Sequence, residues 1–155
     1  MIMTNYEMIS LVVAGISLLL SALALRNASK ASSASIEIAL FNAINSASEK
    51  ISECSEALDE LIAKGVANLN NEEKTLLGLK TKRFNVSNEN YLNAIEEACA
   101  KYIDKKIDRK RFKKAYSTAI RNVVENKNYK KYFDAVSSRY KAILKVYAEW
   151  FNLEK

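Results

Sequence analysis

Hydrophobic positions divide this chain at Arg26. Residues 8–25, MISLVVAGISLLLSALAL, contain no charge, no Pro and one Gly. As a helix rising about 1.5 Å per residue they reach roughly 27 Å, close to the roughly 30 Å hydrocarbon core of a bilayer. Beyond Arg26 the apolar residues no longer run together. They recur every three or four positions, as Leu40, Ile44, Ala47, Ile51, Cys54, Leu58 and Leu61, with Glu49, Glu53, Glu56 and Glu60 on the opposite face. That spacing predicts an amphipathic helix with a coiled-coil-like seam, able to pack within its own bundle or against another copy. Residues 26–64 hold neither Pro nor Gly, so the helix continues out of the apolar run, and Lys64-Gly65 is its expected stop.

Three further helices follow by pattern. Asn70-Asn71-Glu72-Glu73 reads as a capped start with acids in the first turn. The apolar positions then run through Leu76, Leu77, Phe84, Tyr91, Ile95, Ala98, Tyr102 and Ile103, with NVSNEN at 85–90 a candidate kink or break. Asp108 caps the next helix, whose inner face carries Phe112, Tyr116, Ile120 and Val123 and which Asn126-Lys127-Asn128 ends. Tyr129, Phe133, Val136, Tyr140, Ile143, Tyr147 and Trp150 predict one last helix at heptad spacing.

The expected fold is therefore all-α. A short external N-terminus (1–7) and a transmembrane helix (8–25) precede a cytoplasmic bundle of four to five helices (26–155). Composition agrees: Pro is absent, Gly occurs three times, and the roughly 130 residues after the span suffice for one core. Two other readings of 8–25 compete. A signal peptide would find a cleavage site at Ala22-Leu23-Ala24, but its basic leading segment is missing, since residues 1–7 carry only Glu7. A buried core helix is the other, for which eighteen uncharged residues is long. Arg26 and Lys30 follow the run directly, and basic flanks stay in the cytoplasm, which puts the N-terminus outside and the bundle inside a bacterial inner membrane. Cys54 and Cys99 sit at apolar helical positions, as free thiols do in a reducing compartment.

Within the span, Ser10, Ala14, Ser17, Ser21, Ala24 and Ala28 alternate at spacings of four and three, and Ala31 and Ser35 extend the row. Small residues so placed let membrane helices approach closely, with hydroxyls available across the contact. This row is the expected interface of a homo-oligomer.

Charge is unevenly spread. Residues 1–100 carry −4 and residues 101–155 carry +10, giving the net +6. The densest cluster lies at 105–114, where Lys105, Lys106, Arg109, Lys110, Arg111, Lys113 and Lys114 are basic. Such a cluster suits anionic partners: lipid headgroups, or RNA and DNA phosphates. Of the eight tyrosines, Tyr91, Tyr102, Tyr116, Tyr140 and Tyr147 fall on apolar faces and read as core packing rather than base-stacking platforms. The chain has no His, which removes the usual metal ligand and the usual general base. Glu72-Glu73 and Glu96-Glu97 are adjacent and point apart on a helix, and Glu53, Glu56 and Glu60 read as solvated surface. No phosphate loop, zinc spacing or nucleophile motif occurs, so no catalytic residue, metal, cofactor or small-molecule substrate is expected.

One motif remains. Arg121-Asn122-Val123-Val124-Glu125-Asn126 resembles the R-x4-6-H signature of the HEPN superfamily, small helical bundles that often act as RNases. Arg121 and Asn122 match its start, while Asn126 stands where the His belongs. An amide does not exchange protons near neutral pH as imidazole does, so the match extends to the bundle and not to RNA cleavage. A membrane helix followed by such a bundle is similar to the small membrane-anchored accessory proteins of type VI-B CRISPR systems. That resemblance implies protomers assembled in the membrane around a pore, supporting an RNA-guided effector complex in phage defence. The phrases around Arg121 and at 141–150 also resemble small bacterial single-span proteins with a helical C-terminal domain. The function expected is a non-enzymatic, self-associating membrane accessory or effector protein acting by membrane perturbation. The alternatives are a membrane-tethered nucleic-acid-binding module or a degenerate HEPN-type RNase.

Overall fold

The computed structural model describes residues 5–134 and 137–151, and among these the regular structure is helical throughout, with no strand. The first helix, α1 (Asn5–Ala63), is unbroken across Arg26 and unites the apolar run with the amphipathic seam. Of the expected external segment 1–7, residues 1–4 lie outside the described residues. Over residues 12–25 every side chain is exposed. Farther on, Leu40, Ile44, Leu58 and Leu61 are buried and Ala47, Ile51 and Cys54 half-buried, so the predicted seam is the packed one.

α1 stops where its sequence says. Gly65 takes φ +80°, a region open to Gly at no steric cost, and a 3₁₀ turn at Val66–Asn68 leads to α2 (Asn71–Ile103). Asn70 Oδ1 accepts from the Glu73 amide while the Glu73 carboxylate accepts from the Asn70 amide, a capping box that satisfies two orphan donors. Lys64 Nζ joins the Glu73 carboxylate at 2.8 Å and closes the turn.

α2 returns antiparallel beside α1. Lys80 Nζ donates to the Ala57 carbonyl, Cys54 Sγ lies 3.4 Å from Ser87 Oγ, and Glu37 accepts from the Asp108 amide. The NVSNEN stretch does not break it. Asn88 is buried and satisfied, donating to the Phe84 carbonyl and accepting from the Tyr129 hydroxyl, so the one Asn of the run that the fold encloses has its partners. Its C-terminus closes with the Lys106 amide on the Lys101 carbonyl and the Lys105 amide on the Tyr102 carbonyl. This is a Schellman motif, with Lys105 at φ +57° in the place usually given to Gly.

α3 (Arg109–Glu125) starts at Asp108, whose carboxylate accepts from the Arg111 amide, and climbs back along the hairpin. The single last helix that the heptad pattern predicts is corrected here. A 3₁₀ segment (Lys127–Tyr132) and an irregular stretch precede α4, which spans only Lys141–Phe151. Polar side chains take the amides a helix would need. Asn126 accepts from Asn128, Asp134 from Ser137, and Ser138 Oγ from Tyr140 while donating to the Tyr132 carbonyl. Val136, placed on that seam by the pattern, lies outside the described residues.

α4 runs parallel to α2, because the Glu96 carboxylate accepts from the Ala142 and Ile143 amides, 2.9 Å each, and holds the start of the helix. The main core gathers Leu40 and Ile44 of α1, Leu92, Ile95, Cys99 and Tyr102 of α2, Phe112 and Ile120 of α3, and Ile143, Val146 and Trp150 of α4. Leu58, Leu61 and Leu69 are buried apart from it, at the far tip of the hairpin.

Candidate membrane and anion-binding surfaces

The α2–α3 turn is the end of the bundle nearest the apolar stretch. Glu37 positions it from α1, accepting from the Asp108 amide at 2.7 Å and pairing with the Arg111 guanidinium at 2.6 Å. Ser29, Lys30 and Ser33 of α1 line one cavity with Ile107, Asp108 and Arg111. Beside it, Tyr102 Oη ties three helix ends together. It donates to Glu149 and accepts from Trp150 Nε1 and from Arg109, whose guanidinium also lies 4.5 Å from the Tyr102 ring centroid.

The structure thus sorts the seven basic residues of 105–114 into two groups. Arg109 pairs with Glu149, Arg111 with Glu37, and Lys113 Nζ sits 5.8 Å from the Trp150 ring centroid. These are spoken for within the fold. Lys105, Lys106, Lys110 and Lys114 are exposed and make no ion pair among the described residues. Asp108 stays ionised below the usual carboxylate range, held there first by its bond from the Arg111 amide and then by the charges of Arg111 and Lys110.

The small-residue row of α1 is exposed at Ser10, Ala14, Ser17, Ser21, Ala24 and Ala28. Ser17 Oγ donates to the Val13 carbonyl and Ser21 Oγ to the Ser17 carbonyl. Those hydroxyls are satisfied along the helix, so what the face offers a partner is close approach rather than a donor in need of an acceptor.

Arg121, Asn122 and Asn126 come together only in part. The Arg121 guanidinium stacks 4.3 Å from the Phe151 ring centroid and lies 3.8 Å from the Glu125 carboxylate. Asn122 is exposed, and its carbonyl accepts from the Asn126 amide. The Asn126 side chain ends α3 and caps the 3₁₀ segment after it. Asn126 also lines a polar cavity with Phe84, Asn88 and Tyr129. The cavity between α1 and α3, about 250 Å³, is mostly apolar and bounded by Ile38, Phe41, Ala115 and Tyr116; the Tyr116 hydroxyl is buried without a hydrogen-bond partner among the described residues.

Two residues that organise these surfaces carry a signal the sequence reading passed over. Glu37 lies one step back along the seam of Leu40, Ile44 and Ala47, and Glu96 lies in line with Leu92 and Cys99, both fully enclosed. An acid on an apolar row marks a buried donor waiting to be met. No family model, curated protein or solved structure matches this chain.

Proposed function

We propose that this protein is anchored in a membrane by residues 8–25 and self-associates there through the face of Ser10, Ala14, Ser17, Ser21, Ala24 and Ala28, with its helical domain on the cytoplasmic side. The observation that carries the reading is α1 itself. It is long and apolar enough to cross a bilayer by length and composition, and from Val12 to Leu25 its apolar stretch is left uncovered by the rest of the fold. A soluble core helix of that composition would be mostly buried, because exposed apolar surface costs about 25 cal/mol per Å². The protein acts without catalysis, as an accessory or effector module at the membrane. A role in phage defence, through a pore or an RNA-guided partner, rests on the resemblance of Arg121 to Asn126 and the overall plan alone.

The test is alkaline extraction of native membranes, followed by light scattering of the full chain in mild detergent. The expected result is retention in the membrane pellet and a discrete multiple of the 17.4 kDa chain mass. Release into the supernatant removes the anchor. A monomer in detergent removes the self-association and leaves a tethered bundle.

A further inference from the structure

The four unpaired lysines of 105–114 are not scattered over the bundle. Three of them, Lys105, Lys106 and Lys110, lie on or beside the turn that Glu37 clamps to α1. Glu37 follows Leu25 by twelve residues, about 18 Å along a helix, and Lys30 follows it by five, about 7.5 Å. Headgroups occupy the first 5–8 Å or so beyond the hydrocarbon, and the Debye length at physiological salt is about 8 Å. A lysine side chain spans most of the distance that remains. Arg26 and Lys30 are exposed on α1, and a span ending at Leu25 would place them in the headgroup layer itself.

The acids at this end do not cancel the cluster. Glu37 and Glu149 are each matched by an arginine, and Asp108 is occupied as the α3 cap. Among the described residues only Asp104 stands exposed beside the lysines without an ion pair. The turn also holds Lys105 at φ +57°, where a β-carbon is strained and Gly would not be. A positive charge is kept at the tip at some cost to the backbone.

We propose that the α2–α3 turn, through Lys105, Lys106 and Lys110 together with Arg26 and Lys30 of α1, binds the anionic headgroups of the leaflet from which the bundle emerges. The inference rests on the membrane reading above and gives it a second contact. A single helix leaves a bundle free to swing, whereas lipid held at the turn fixes the bundle against the surface and makes its pose depend on lipid charge and salt. Each lysine near an anionic surface contributes about 1 kcal/mol, roughly a five-fold change in occupancy.

The experiment is hydrogen exchange on the full chain in nanodiscs of phosphatidylcholine, with and without phosphatidylglycerol, at low and high salt. Amides of residues 104–110 are expected to exchange at least about five-fold more slowly when phosphatidylglycerol is present. High salt should abolish the difference, and so should the triple reversal Lys105→Glu, Lys106→Glu, Lys110→Glu. The matched reversal Lys127→Glu, Lys130→Glu, Lys131→Glu changes charge equally. It lies beside Asn88, fifteen residues and about 23 Å up α2, and should keep the lipid effect. Equal exchange in both nanodiscs overturns the proposal while leaving the anchor standing. Failure of the chain to enter nanodiscs overturns the anchor instead. If the first triple variant loses salt-sensitive binding of polyuridylate while exchange ignores lipid, the patch is a nucleic-acid surface and the proposal is overturned.

Discussion

Residues 12–25 and residues 40–61 belong to one unbroken helix and satisfy opposite requirements. In the first stretch Val12 is 60% exposed, Leu18 73% and Leu25 72%; in the second Leu40 is 9%, Ile44 4% and Leu61 5% exposed. The first is apolar on every side and has nothing of its own chain against it. The second is apolar on one stripe, and α2 covers that stripe. Backbone hydrogen bonding is the same in both, so helix formation does not distinguish them. What differs is the solvent each demands. A helix that is apolar all round is stable where its whole circumference meets hydrocarbon, and an amphipathic one where a single face meets a core. Between them residues 26–35 are small, polar or charged and mostly exposed, a stretch that joins two environments without belonging to either.

The comparison breaks most sharply if each half is damaged in turn. Leu19→Arg together with Leu20→Arg should cost about 5–7 kcal/mol of membrane insertion, at about 2.5–3.5 kcal/mol for each arginine near the centre of the span. The variant is expected in the supernatant after alkaline extraction. Its unfolding transition in detergent should match that of the parent, because neither leucine touches the bundle. Loss of the bundle transition as well would mean that the apolar half is needed for folding, and the two halves would not be separable. Ile44→Ala is the converse. It should remove about 2–5 kcal/mol from the bundle, measured by guanidinium unfolding, and leave the membrane fraction unchanged.

How much of this was written in the sequence follows the same division. Where one periodicity acts alone it is legible, as in the seam of Leu40 to Leu61, the stop at Gly65 and the caps at Asn70 and Asp108. It fails where tertiary contacts outvote it. The heptad of Tyr129 to Trp150 reads as one helix. Ser138, Asp134 and Asn126 instead divert its amides, and Glu96, about two helical turns before the end of α2, supplies the acceptors that start α4 at Lys141. The basic cluster was legible as composition but not as geometry. That Arg109 and Arg111 are paired with Glu149 and Glu37, while the lysines of the turn are left without an ion pair among the described residues, depends on residues 40 and 74 positions away.

The finest distinction lies at the far end of the packed half, where Lys64 meets Glu73. The Lys64 bond and then the Asn70 amide hold the Glu73 carboxyl below its ordinary range, while that same pairing raises the Lys64 ammonium. A carboxylate whose folded value is depressed contributes stability that is complete above its unfolded value, roughly 4.3, and is lost as pH falls through the folded one. A raised lysine acts in the other direction, contributing fully below its unfolded value, roughly 10.4, and losing that contribution as pH rises through the folded one. The link is therefore intact across the neutral range and fails in acid first. Both groups face solvent, so salt weakens it and the effect is the smallest of those considered. Glu73→Gln keeps the acceptor for the Asn70 amide and removes only the charge. Urea midpoints should place the parent above this variant at neutral pH and bring the two together as pH falls toward 3. A gap that persists in acid would mean that the charge on Glu73 is not the source of the stabilisation. The apolar half of α1 offers no counterpart, since residues 12–25 carry no group that titrates.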